Sequence, residues 1–219
     1  MRFSLFGLVL SSAFAVAGAT RADQAAGAAS FAPGTYGEPF TVQALVQGCE
    51  ATEEGDFCFF YAEGARWLAA RGQNSNPAAL DLLSGMAVNT PVIVTGDMIS
   101  FGDITAESAV SKIEPGQPDQ YAGVRDAMQG KWIDTTDPRQ VLTVTGSEEI
   151  TEYDGEYLGT AVLTFADACP DGASIGPVVV KQMMGGDPAD LPCFAIIEVA
   201  PDRMELSYVG RGNTLVFGR

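Results

Sequence analysis

FTVQALVQGCEATEEGDFCFFYAEGARWLAAR, residues 40–71, reads as three strands in succession. The run 40–49 is the first, an acidic loop opens at Glu50, the run 56–63 is the second, and after a tight turn the run 64–71 is the third. Next comes SNPAALDLLSGMA, residues 75–87, where Asn76 can cap a helix, Pro77 takes its first position and Gly85 marks its exit. Two further strand runs follow, the β-branched 90–101 and then 106–115, before a Pro/Gly boundary at 114–120.

Beyond that boundary an amphipathic helical turn, residues 118–129, leads into Gly130-Lys131-Trp132. Eight short strand runs fill the remainder: 131–136, 139–146, 148–153, 156–166, 177–184, 193–200, 203–210 and 213–219. Their separators are turn chemistry: Asp137-Pro138, Gly146-Ser147, Asp154-Gly155, Pro201-Asp202 and Arg211-Gly212-Asn213. The expected fold class is all-β, as two small antiparallel barrels, one over residues 40–115 with a single short helix and one over 118–219.

Ahead of both units, Arg2 precedes an apolar run from Phe3 to Ala17 and small-residue cleavage sites at Ala17-Gly18-Ala19 or, less well matched, Thr20-Arg21-Ala22, the pattern of a secretory signal peptide, taken over residues 1–19. The run is too short to span a membrane, and no cysteine lies near the cleavage site to carry a lipid. Residues 20–39, rich in Ala and Gly, read as a flexible mature N-terminus. The expected location is periplasmic or secreted, soluble after cleavage and with no membrane insertion once the signal is removed. The formal charge is -16, and loss of Arg2 with the signal makes it -17 (-16 - 1). Such a chain repels nucleic acid and anionic membranes, so a macromolecular partner would have to be cationic.

The four cysteines fall as two close pairs, Cys49 with Cys58 and Cys169 with Cys193. Of three possible connectivities the local one keeps each bridge inside one unit. Closing those loops contributes on the order of 2.7 and 3.5 kcal/mol by the loop-entropy relation. The second bridge conflicts with a plain up-and-down barrel, because the run 177–184 would carry Cys193 to the end opposite Cys169. A crossover of that run, or a bent fourth strand, is the expected resolution.

Three strands, a helix and two strands resemble an oligonucleotide/oligosaccharide-binding (OB) barrel over residues 40–115. That resemblance implies a binding surface on the second and third strands, here carrying Phe57, Phe59, Tyr61, Arg66, Trp67 and Arg71. Residues 118–219, a helical turn running into Gly-x-Trp and then short antiparallel strands, are similar to calycin or lipocalin-like barrels. The resemblance implies a basic residue of the last strand packed over Trp132. Because the last strand runs antiparallel to the first, its C-terminal end meets the start of the first, which selects Arg219 rather than Arg211.

The chain has no histidine, which removes Ser-His-Asp and Cys-His catalysis and the zinc hydrolase motifs together, and no C-x-x-C is present for redox or metal chemistry. No phosphate-binding loop or dinucleotide fingerprint occurs. Carboxylates remain, in two clusters: Glu50, Glu53, Glu54 and Asp56, then Glu148, Glu149, Glu152, Asp154 and Glu156. Both fall where turns are expected and read as solvated charge, with no metal site and no cofactor. The expected function is therefore non-catalytic binding of a small molecule, glycan or cell-envelope component. The alternative is a protein-interaction or inhibitor module that holds a cationic protein through its acidic loops.

Overall fold

A computed structural model describes residues 30–53, 55–173, 176–187 and 189–219. The expected signal peptide, residues 1–19, and residues 20–29 lie outside them, as does Glu54. The described chain is all-β and forms two closed barrels, of five and eight strands.

The first barrel comprises β1 (Glu38–Thr52), β2 (Gly55–Ala62), β3 (Ala65–Ala70), β4 (Pro91–Gly102) and β5 (Thr105–Pro115), with α1 (Pro77–Ser84) between β3 and β4. Alternation along each strand divides the residues between two faces. Phe40, Val42, Ala44 and Val46 of β1, Cys58, Phe60 and Ala62 of β2, and Ala65, Trp67 and Ala69 of β3 point into the core. The strand order is β1-β2-β3-β5-β4, closed by β4 against β1. Only β3 and β5 pair in parallel, because α1 carries the chain from β3 to β4 on the far side and β5 returns between them. In α1, Asn76 accepts from the Ala78 amide at 3.1 Å and Pro77 opens the first turn. Its Ala79, Leu80 and Leu83 are buried against the barrel. Asn76 Nδ2 also donates to Ser111 O at 3.0 Å, fastening the helix to β5.

The chain is tied down earlier than its composition suggests. Asp97 on β4 is fully buried and accepts from the amides of Gly34 at 2.7 Å and Tyr36 at 2.8 Å. Burial works against its charge, but the amides of Tyr36, Gly34, Thr35 and Gly37 outweigh it and hold the carboxyl below its ordinary pKa.

After α2 (Ala122–Met128), the second barrel follows as β6 (Gly130–Asp134), β7 (Gln140–Thr145), β8 (Glu148–Tyr153), β9 (Glu156–Ala166), β10 (Val178–Met183), β11 (Cys193–Ala200), β12 (Arg203–Tyr208) and β13 (Thr214–Gly218). Every neighbouring pair is antiparallel, and β13 closes on β6. Trp132, Leu142, Val144, Leu163, Val179, Phe194, Met204, Leu206 and Phe217 fill the interior, with Met128 of α2 plugging one end. Trp132 is fully buried, and its Nε1 donates to Met128 O at 2.7 Å. Arg219 lies over its ring, 4.1 Å from the centroid, and donates to Ala127 O at 3.2 Å and to Gln129 O, closing the end of α2.

Both local disulfides are formed, with Cα atoms 4.0 Å apart for Cys49–Cys58 and 5.8 Å for Cys169–Cys193. Neither a crossover nor a bent strand is needed for the second, which corrects the expectation. Stagger resolves it instead. β11 pairs only with the start of β10, from Val178↔Ala195 to Val180↔Cys193, so Cys193 begins part-way along the barrel. Val178 is also the partner of Ala166 at the end of β9, just before Cys169. The chain turns back at Cys169, whose amide donates to Ala173 O at 2.9 Å.

A second correction concerns Glu149, expected among solvated loop charges. It lies in the strand expected over 148–153, here β8, but faces inward with Val144 and Ala161 across the sheet and is 2% exposed. Its two oxygens accept from Lys181 Nζ at 2.6 and 2.7 Å, and that ammonium lies 4.9 Å from the Phe194 ring centroid. An ion pair is thus built into the barrel interior.

Candidate functional site

The alternation that fills the first barrel leaves Phe57, Phe59 and Tyr61 of β2 and Arg66 and Leu68 of β3 on its outer face. Phe59 pairs with Leu68 and Tyr61 with Arg66 across the two strands. The β1–β2 hairpin extends beyond this face, with Glu50 opposite Phe57 and Cys49 opposite Cys58. A groove of about 520 Å³ results, lined by Glu50, Thr52, Glu53, Phe57, Phe59, Arg66 and Leu68. The Phe57 and Phe59 rings, 6.4 Å apart between centroids, form its floor.

Arg66 is the pivot of this surface. Its guanidinium sits 3.9 Å from the Phe59 centroid, so that ring face is already covered by a cation. Its Nε lies 3.1 Å from Glu148 Oε1 of the second barrel, an ion pair whose angle does not make it a hydrogen bond. Tyr61 donates its hydroxyl to the same carboxylate oxygen. Burial pushes the Tyr61 phenol pKa far up, and the bond to Glu148 pushes the same way, so it stays a donor.

Around this contact the two barrels meet. Tyr61 and Ile104 pack on Val162, with Met184 beside them. Gln47 of β1 donates to Thr145 O at 2.8 Å and accepts from the Ser147 amide at 3.2 Å, gripping the β7–β8 turn. Gly146 at the centre of that turn has φ +63°, which favours glycine, and a Cβ there would displace the Gln47 side chain from its two hydrogen bonds.

The six expected surface residues therefore divide. Phe57 and Phe59 line the groove with Arg66, and Tyr61 lies on the same face but is buried beneath the second barrel. Trp67 is not on this face: strand alternation turns it inward, where it is 5% exposed and donates from Nε1 to Ala62 O at 3.1 Å. Arg71 stands at the end of the hairpin, where Nη1 reaches Asp81 Oδ1 of α1 at 2.7 Å and Nε lies 3.9 Å from Asp56. It fastens the hairpin to the helix. Leu68 and the Glu148 contact complete the site. Leu68 shares the outward parity of Arg66, whereas nothing local marks Glu148, which comes from 82 residues (148 - 66) further along the chain.

Three acidic side chains are buried among the described residues, and each is engaged: Asp97 by backbone amides, Glu149 by Lys181, and Asp134 by Thr136 and the Asp137 amide. Burial would raise the Asp134 pKa, but the Thr136 hydroxyl and the amides of Thr136 and Asp137 hold it below the ordinary value. Among the described residues, no group of three or more Cys, Asp or Glu side chains is arranged to hold a metal ion.

Comparison with protein-family models, with curated proteins and with solved structures finds no match.

Proposed function

We propose that this is an exported, non-catalytic binding protein whose outer β2–β3 face recognises a small molecule, glycan or envelope component. The observation that carries this reading is the groove itself: an aromatic floor of Phe57 and Phe59 with Leu68, an arginine fixed across it, and the carboxylates of Glu50 and Glu53 at the rim. A sugar ring suits that arrangement, since its apolar face can pack on Phe57 while rim carboxylates accept from its hydroxyls.

The strand order β1-β2-β3-β5-β4, the parallel β3–β5 pair and the helix between β3 and β4 support an OB-like assignment for the first barrel. Eight antiparallel strands, with Arg219 over Trp132 of the Gly-x-Trp turn, support a calycin-like assignment for the second. Two disulfides fit an oxidising compartment, in keeping with the signal-like start of the sequence. No helix among the described residues is long and apolar enough to cross a membrane. A non-catalytic role is supported by the absence of histidine and by the engagement of all three buried carboxyls.

A second reading rests on the hairpin end, where Glu50, Glu53 and Asp56 gather and, among the described residues, Arg71 alone is ion-paired with one of them, at 3.9 Å from Asp56. There the partner would be a cationic protein. Calorimetric titration of the mature protein with a panel of neutral oligosaccharides separates the two. Saturable binding that survives raised salt and falls on Phe57→Ala supports the groove reading. Failure of the whole panel, or binding indifferent to Phe57→Ala, refutes it. Capture of basic proteins that salt abolishes supports the second reading.

A further inference from the structure

We propose that the open mouth of the first barrel is a separate binding site for a small organic cation, an ammonium group carried on an apolar body. α1 covers one end of this barrel, and a pocket of about 420 Å³ opens among Glu38, Pro39, Phe40, Glu63, Ala65, Trp67, Met98 and Phe101. The size suits a small molecule. Trp67, turned away from the outer groove, supplies the aromatic wall here. Its ring lies 4.6 Å from Phe40 and 5.8 Å from Phe60 between centroids. It is 5% exposed and its indole N–H is already given to Ala62 O, so a small part of its ring reaches the pocket and the larger open aromatic surface is that of Phe101. Phe101 is linked to Trp67 through Ala106, which pairs with both residues, and is a large apolar group 58% exposed among the described residues.

The charge around these rings has one sign. Glu38 and Glu63 stand exposed at the rim, and among the described residues no lysine or arginine lines the pocket and neither carboxylate has an ion-pair or hydrogen-bond partner. Aromatic faces and carboxylates both attract a cation, and the net charge of -16 adds to that field.

The backbone supplies an independent sign. Five described non-glycine residues have φ in the left-handed region: Asn74, Asn89, Asp103, Asp154 and Glu63. Four are Asn or Asp, whose short side chains tolerate it, but Glu63, at φ 54°, is not. It occupies the β2–β3 turn ahead of Gly64, at φ 76°, where glycine or asparagine would sit with less strain. Strain kept at the rim of a pocket points to work for that carboxylate.

The test is titration of the mature protein with benzyltrimethylammonium and with neopentylbenzene, its neutral isostere, followed by tryptophan emission. Trp132 is sealed in the other barrel, so a saturable change reports Trp67. The expected result is saturable binding of the cation, about tenfold tighter than that of the isostere. Phe101→Ala and Glu63→Gln should each weaken it by roughly three- to tenfold. Glu63→Gly should weaken binding while raising the melting temperature, which separates loss of the site from loss of the fold. Phe57→Ala should leave this binding unchanged, so failure of the outer groove and failure of the mouth are distinguishable. Equal binding of the isostere, no saturable change, or unaltered affinity in both Glu63 variants would overturn the proposal.

Discussion

Replacing Lys181 by methionine isolates the ionic contact inside the second barrel. Methionine keeps most of the unbranched stem beside Phe194 and removes only the ammonium. Glu149 would then be left 2% exposed with neither oxygen satisfied, since Lys181 is its only hydrogen-bonding or ionic side-chain partner among the described residues. Removing one member of a buried pair costs about 3–5 kcal/mol, because the remaining charge has lost both water and counter-charge. A chain of this size has a total stability on the order of 5–15 kcal/mol, so the variant gives up a large share of it. With a urea slope of about 2 kcal/mol/M, the midpoint should fall by about 2 M. The same buried geometry predicts the opposite for the double replacement. Lys181→Met with Glu149→Leu removes both desolvation penalties, and should return stability to near the parent value or exceed it by about 1–4 kcal/mol. Urea denaturation of the oxidised protein, followed by near-ultraviolet circular dichroism, measures both. A loss under about 1 kcal/mol in the single variant would place the pair in the class of exposed ion pairs and refute the reasoning. So would a double variant as unstable as the single one.

Arg219→Ala should lower stability by about 0.5–2 kcal/mol and alter Trp132 emission, because the guanidinium both covers the indole and closes the end of α2; an unchanged melting curve and spectrum would remove the role given to Arg219. Asp137 receives a two-pronged contact from Arg139, Nε and Nη2 each at 2.8 Å, which lowers its carboxyl pKa from 3.8 to about 2. A lowered native pKa gives stability that is present above the unfolded value and lost as pH falls towards 2, so Asp137→Asn should flatten the acid limb of the stability profile between those limits, and a carboxyl titration followed by NMR should place Asp137 near 2.

The strand runs were legible because each barrel is small and half of every strand must face its interior, which imposes period two on the apolar residues. The cysteine pairs were legible for a related reason: both bridges join segments close in sequence. The same periodicity, applied strictly, also divides the expected surface. Arg66 and Trp67 are neighbours on one strand and must point to opposite faces, so a set containing both joins two surfaces. Glu148 and Glu149 split in the same way, one to the seam between barrels and one to an interior. The strand over 148–153 was legible, but their clustering with other acids reads as solvated charge, and it is the pairing of Glu149 with the inward Val144 that sends one of them to the interior. The contacts across the seam were not legible. Tyr61 and Glu148 lie 87 positions apart, and their meeting depends on how two finished barrels dock.

On the proposed binding role, that docking also bears on what the outer groove would accept. Glu148 serves two partners, the Tyr61 hydroxyl and the Arg66 guanidinium, and it does so half-buried at the seam between the barrels. An anionic ligand competing for Arg66 would leave Glu148 with a neutral donor alone, and would enter between Glu50 and Glu53. Both effects oppose it, and the overall charge of the chain adds a third. A neutral ligand meets none of these penalties, because it can pack on Phe57 and Leu68 and leave the pair of Arg66 with Glu148 intact. In the proposed binding role, the selectivity of the groove would thus come from the second barrel, which contributes a carboxylate rather than a wall. Replacing Glu148 should therefore change which charge the groove admits before it changes how tightly the aromatic floor binds.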